Sequence, residues 1–219
     1  MRSMKRTLTL LLSAVLVVCA ALCVAGCGGQ QASSSATSSA ASSSAASEAG
    51  KTLVVYFSAT GNTEAVVQDI VDETGATSFA IQPAQPYTSE DLDYNDPDSR
   101  VSKEHADPSL QDVALAQDTP DDWASYNTVL IGYPIWWGEA AYPVASFAKA
   151  NDFTGKTVIP FCTSASSGLG QSAEHLSELA NGGEWMGGMR FPSGVNGDEV
   201  RQWVDDLGLE KQNLYRECR

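Results

Sequence analysis

Basic residues are scarce in this chain of 219 residues: 13 Lys and Arg face 27 Asp and Glu, for a formal net charge of −14. A surface of that sign repels polyanions, which excludes nucleic acid as a partner. Histidine is rarer, at two residues, and neither His105 nor His175 falls in a Cys/His spacing that suits a metal, so no metal site is expected. The five cysteines form no disulfide framework. Cys162 closes an apolar run and reads as a small buried hydrophobe, and a bridge from it to Cys218 is disfavoured.

The longest apolar run lies at the start. Arg2, Lys5 and Arg6 precede it, residues 8–24 supply its apolar core, and Val24-Ala25-Gly26-Cys27 closes it with small residues before a cysteine. This resembles a bacterial lipoprotein signal peptide, cut before Cys27, whose thiol would carry the lipid. A retained transmembrane helix is the alternative, but the run is a little short for a span of about 20 residues. Residues 1–26 are therefore expected to leave, taking three positive charges and lowering the net charge to −17. Residues 27–50 are expected to be the lipidated cysteine and a flexible Ser/Ala stalk, with residues 51–219 as one folded domain. An acyl anchor at Cys27 would hold that domain to the extracytoplasmic face of a membrane. The pair Lys5-Arg6 is a poor twin-arginine signal, so the export route stays open.

Within the domain, the apolar run Leu53-Val54-Val55-Tyr56-Phe57 empties into Ser58-Ala59-Thr60-Gly61-Asn62-Thr63. Val66, Val67, Ile70 and Val71 then recur at helical spacing. A loop rich in hydroxyls thus meets the free N–H groups and positive dipole end of a helix, where a phosphate is favoured. The loop holds no Lys or Arg, which argues against a nucleoside triphosphate; the P-loop pattern needs Gly-Lys-Ser/Thr. What remains is a monophosphate held by neutral donors, and FMN is the cofactor this points to.

Further strands are expected over 78–81, 128–132, 157–162 and, more weakly, 187–191. Helices are expected over 99–106, 142–150, 171–179 and 197–207. The polar, acidic segment 82–122 is longer than a simple crossover needs. Apolar strands alternating with helices indicate a parallel sheet covered on both faces, and ligands in such sheets bind beyond the carboxyl ends of the strands.

Three loops leave those ends: residues 58–63, 133–141 and 163–170. The second carries Pro134, Ile135, Trp136, Trp137 and Gly138; two adjacent indoles need apolar cover, and at least one is expected to touch a planar ligand. The third carries Thr163, Ser164, Ser167 and Gly168. Its end, Gly168-Leu169-Gly170-Gln171-Ser172-Ala173, matches a dinucleotide fingerprint. It lies at the fourth strand with too little chain beyond it, so a resident NAD is rejected.

Phe57 to Thr63, Gly132-Tyr133-Pro134-Ile135-Trp136-Trp137-Gly138, and Cys162-Thr163-Ser164 through Gly168-Leu169-Gly170 together resemble the flavodoxin-like family, in its branch with a Tyr-Pro-x-Trp-Trp-Gly loop. The resemblance implies an α/β fold, a doubly wound sheet of five parallel strands in the order 2-1-3-4-5 between two helical layers. It also implies FMN across the carboxyl edge. By that likeness residues 58–63, including Ala59 and Gly61, hold the phosphate, Pro134 to Gly138 flank the ring with backbone near Trp137 and Gly138 facing flavin N5, and Thr163, Ser164, Ser167 and Gly168 line its other edge. Tyr87, Tyr94 and Tyr133 are candidates for a hydroxyl near the ring, a packing role being favoured for each. No catalytic residue is assigned. Electron-rich indoles and an acidic surface would oppose the negative charge a flavin gains on reduction, so a low potential is expected.

Two functions compete. One is electron transfer from a membrane donor to another redox protein; the other is an FMN-dependent NAD(P)H or quinone reductase acting on a small molecule. A flavin-free binding module is the third reading and the least favoured.

Overall fold

A computed structural model of the chain describes residues 50–209. The expected signal segment, the lipidated Cys27, nearly all of the Ser/Ala stalk and Cys218 lie outside the described residues. The elements run β1 (Lys51–Tyr56), α1 (Asn62–Thr74), β2 (Thr77–Ala80), α2 (Arg100–Ala106), β3 (Tyr126–Trp136), β4 (Glu139–Ala140), α3 (Tyr142–Ala150), β5 (Thr157–Thr163), α4 (Ser172–Leu179), β6 (Glu184–Trp185), β7 (Met189–Phe191) and α5 (Gly197–Asp206).

The sheet order is β2-β1-β3-β5-β6, and β7 also pairs with β5. All these pairings are parallel. This is the expected doubly wound arrangement with five strand positions. Strand alternation divides the core in two. Val54, Tyr56, Leu130, Ile159 and Phe161 face α1 and α5, meeting Val66, Ile70, Val200 and Trp203. Leu53, Val55, Val129, Ile131 and Val158 face the other way, against Val144 and Phe147 of α3 and Leu176 of α4. The helices hold their places by their apolar stripes. Trp203 packs tilted against Phe161 and edge-on to Phe191, at 5.8 and 5.4 Å between ring centroids.

The fifth position is filled by two short pieces rather than one strand. Pro160 lies in the middle of β5, and a Cβ on Gly188 would come within 2.3 Å of its carbonyl oxygen. The carbonyl of a strand residue points to the same side as its nitrogen, so the nitrogen that lacks a hydrogen faces the fifth strand. Pairing therefore stops after Trp185 and resumes at Met189.

Residues 82–122 contain α2 and no long element. They are tied to one another through Glu104, which is only 4% exposed. Its carboxylate accepts from the Tyr87 hydroxyl at 2.7 Å and from Arg100 Nε at 2.7 Å, while the Arg100 guanidinium lies 3.9 Å from the centroid of the Tyr87 ring.

Candidate functional site

The first loop follows β1, whose next residue, Phe57, donates its N–H to the Gly132 carbonyl at 3.0 Å. Gly61 caps α1 at φ +85, a conformation that costs an L-residue about 1–2 kcal/mol, and no atom lies within 4 Å of where a Cβ would stand. Ser58 Oγ accepts from the Glu64 N–H at 3.2 Å, and Asn62 Nδ2 donates to Thr60 Oγ1 at 3.0 Å. Gly61 has no side chain to cap the helix and Ser58 takes the Glu64 N–H, so it is the N–H groups of Asn62 and Thr63 that are left to meet an anion. Thr63 is placed differently from the rest of the loop. Its hydroxyl is buried and lies 2.8 Å from that of Thr163, at the end of β5.

The expected second loop is mostly strand. β3 continues past Gly132 through Trp136, and β4 returns antiparallel to it, pairing Ile135 with Ala140 and Trp136 with Glu139. Trp137 and Gly138 form the two-residue turn, at φ +47 and +87. Positive φ at both central positions fits a type I′ turn, which favours Asn-Gly; here an indole occupies the first position. Trp136 faces inward, edge-on to Phe57, Tyr87 and Tyr142 at 5.7, 5.3 and 5.6 Å. Trp137 faces outward, 43% exposed, with the His105 imidazole stacked on it at 4.3 Å and 5° between planes. Both indoles thus rest on the 82–122 segment.

The third loop is held by a residue the sequence reading missed. Arg190, on β7, donates from Nε to Ser164 Oγ at 3.1 Å and from Nη2 to the Ser164 and Ala165 carbonyls, each at 2.8 Å. The Ser164 hydroxyl donates to the Ser167 carbonyl. This guanidinium fixes the loop's shape and is engaged with its carbonyls. Ser167 and Gly168 are exposed, and a Cβ on Gly168 would meet nothing within 4 Å. Only the register of β7 against Cys162 brings Arg190 there, so residue spacing alone gave no signal for it.

Of the three tyrosines, Tyr133 is fully buried, its hydroxyl 3.1 Å from Ser172 Oγ, and burial pushes its pKa up. Burial and then the bond to Glu104 do the same for Tyr87. Tyr94 is 71% exposed and lines a small apolar hollow of about 280 Å³ with Leu92, Val101, Ile135, Trp136 and Trp137. Burial raises the Cys162 thiol to about 11, which keeps it protonated at neutral pH. Glu139 Oε2 meets His175 Nδ1 at 2.6 Å, a pair spaced 36 residues apart that the sequence did not reveal. That bond is the main cause that raises the pKa of His175. Among the described residues no group of three or more His, Cys, Asp or Glu is placed to hold a metal.

The three loops meet at one carboxyl edge of a parallel sheet, beside the open end of α1. Fold and site together define a doubly wound α/β protein that takes a phosphate-bearing ligand at its strand ends. The chain belongs to the flavodoxin family, whose model matches residues 51–207. It is similar to a protein of Bacteroides uniformis provisionally described as a flavoprotein, at 39% identity over 72% of this chain and 99% of that one, with a TM-score of 0.66. A counterpart from Bacteroides eggerthii is 37% identical over 73% and 99%, with a TM-score of 0.65. A flavoprotein of Lactobacillus acidophilus, solved in complex with FMN, shares the fold at 24% identity over 71% and 99%, with a TM-score of 0.50. No curated protein matches the chain.

Proposed function

We propose that this chain is an FMN-binding electron-transfer protein, held as a lipoprotein through Cys27 at the extracytoplasmic face of a membrane. The observation that carries the FMN assignment is the set of three glycines, one per loop. Gly61, Gly138 and Gly168 each face space in which a Cβ would touch nothing within 4 Å, so each loop is open at its glycine. The donors around the first opening are neutral: Ser58, Thr60, Asn62 and the N–H groups of α1. They suit a monophosphate, as in the FMN of the Lactobacillus protein, better than a triphosphate.

Ser58 to Asn62 would hold the phosphate, the Trp137–Gly138 turn would flank the ring, and the Arg190-braced loop would close its other edge. FMN, when bound, supplies the electron chemistry, and the chain supplies its position and surroundings. The chain's own contribution is a stiff frame: Trp136 is wedged among Phe57, Tyr87 and Tyr142, and Glu104 pins the segment against which both indoles pack. The exposed Trp137 indole and the acidic surface of the chain oppose added negative charge, so the couple should lie below free FMN in a redox titration.

A second reading, an FMN-dependent reductase of a small molecule, is favoured by a cavity of about 470 Å³ that is lined by Trp137 of the turn and Glu139 of β4. One experiment separates the two. The full chain, loaded with FMN, is followed by visible absorption under anaerobic NADH or NADPH. A flavin spectrum left unbleached supports an electron carrier that awaits a protein donor; bleaching by the nicotinamide alone supports the reductase, and failure to bind FMN overturns both.

A further inference from the structure

We propose that the cavity shared by Trp137, Glu139 and α4 binds an uncharged, planar aromatic carbonyl compound of the quinone type, with His175 Nε2 donating a hydrogen bond to its carbonyl oxygen. As the place where an electron acceptor sits, this cavity rests on the reductase reading above; as a binding site, it stands on its own geometry.

The cavity is distinct from the phosphate cradle. None of its lining residues comes from residues 58–63 or 163–170; its walls are α2, Gln111, β4, α3 and α4, with Trp137 of the turn at its border. At about 470 Å³ it falls in the size range of small-molecule sites, roughly 300–1,000 Å³. Ala140, Ala145, Leu176 and Leu179 make one wall apolar, and Trp137 and His105, stacked on each other, border it with two aromatic rings. Leu179 and Trp137 are both more than two-fifths exposed, so apolar surface stands uncovered at this site. A flat, apolar body is what such walls accommodate.

The polar groups narrow the chemistry further. Glu139 engages His175 at Nδ1, which fixes the proton on that nitrogen and leaves Nε2 as the free end of the ring. In the imidazolium form Nε2 is a donor, and Glu139 stabilises that form. A carbonyl oxygen is the matching acceptor. An anionic ligand is disfavoured because the imidazolium is already neutralised by Glu139, while Glu174 and Glu178 add negative charge on the same helix. A cationic group such as an ammonium carries donors and no acceptor, so it cannot take the hydrogen bond that Nε2 offers. A neutral acceptor on an aromatic frame satisfies every wall.

The groups facing His175 are Glu139 of β4 and Glu174 and Glu178 of α4; His105 of α2 and Tyr142 of α3 border the same cavity. Burial raises Tyr142 to about 12, so it does not ionise near neutrality. Affinity should therefore be highest below the raised pKa of His175 and fall as pH passes through it.

The test uses the full chain in detergent, with and without FMN, titrated with tetramethyl-1,4-benzoquinone, which has no free ring position for thiol addition. The side-chain resonances of Trp137 and His175 are followed by NMR, and flavin loading is read by absorption on the same samples. Saturable shifts of both side chains are expected. His175→Gln, at a half-exposed position, should weaken binding about tenfold, because a hydrogen bond from a charged donor is lost. It should also flatten the pH dependence, and it should load FMN as the wild type does. Leu179→Glu, at the rim, should weaken binding without touching His175. Absence of saturable shifts, or equal affinity in His175→Gln, overturns the proposal. Flavin loading without quinone shifts overturns this site alone; quinone shifts without flavin loading overturn the FMN reading and leave the site standing.

Discussion

The bond between Thr63 and Thr163 makes a sharp prediction because its partners are 100 residues apart and bond to each other in the core. Thr63 is 1% exposed and Thr163 3%, and their hydroxyls lie 2.8 Å apart, tying the first turn of α1 to the end of β5. Thr→Val keeps the shape of either side chain and leaves the other hydroxyl buried without this partner, at a cost of about 1–3 kcal/mol. Replacing both removes the stranded hydroxyl as well, and such a paired change is nearly neutral. With a urea m-value of about 2 kcal/mol/M for a domain of this size, each single variant should lower the midpoint by about 0.5–1.5 M. The double variant should recover to near wild type, giving a coupling of at least about 1 kcal/mol in the cycle. FMN affinity should change little in the double variant, since these hydroxyls serve the frame. Additive destabilisation, with the double variant as unstable as the two singles combined, would refute the reasoning.

Two glycines should lose stability for different reasons: Gly138→Ala, with open space around it, should cost only the left-handed backbone penalty of about 1–2 kcal/mol in urea denaturation. Gly132→Ala would place a Cβ 2.2 Å from Phe161 Cζ and should cost about 3 kcal/mol, partly restored by Phe161→Leu. Because Glu139 raises the pKa of His175 above its unfolded value, the pair stabilises the fold fully below about pH 6.5 and loses that contribution as pH rises through the folded value. Denaturation midpoints measured from about pH 6 to about pH 9 should therefore fall more for wild type than for His175→Gln. Tyr87→Phe, which removes a hydroxyl from buried Glu104, should cost about 1.5–3 kcal/mol and speed amide exchange across residues 85–105.

The pattern of apolar runs was enough to place α3, whose bounds Tyr142–Ala150 coincide with the expected 142–150. Its Pro143 starts the helix and its apolar stripe ends at Ala150, so the local signals agree. The sheet order was legible through the family likeness. The end of β3 was not: Gly132 and Pro134 look like a turn, yet Ile135 and Trp136 pair with β4, and the true turn places a tryptophan where local rules ask for Asn. Arg190, the Thr63–Thr163 bond and the His175–Glu139 pair share another cause. Each depends on register or on packing between elements far apart in sequence, which periodicity does not encode.

The interrupted fifth strand bears on how copies of this domain behave when crowded. A long, flat outer strand offers a row of unpaired donors and acceptors on which another chain can grow, and such growth leads to aggregates. Here the outer position consists of two residues, a gap over residues 186–188, and three more, so no outward row extends beyond about 10 Å. The proline that forces this break is in the neighbouring strand, inside the sheet. The safeguard against sheet-to-sheet polymerisation is thus written in β5, and replacing Pro160 with a residue that can donate would lengthen the very edge the fold keeps short.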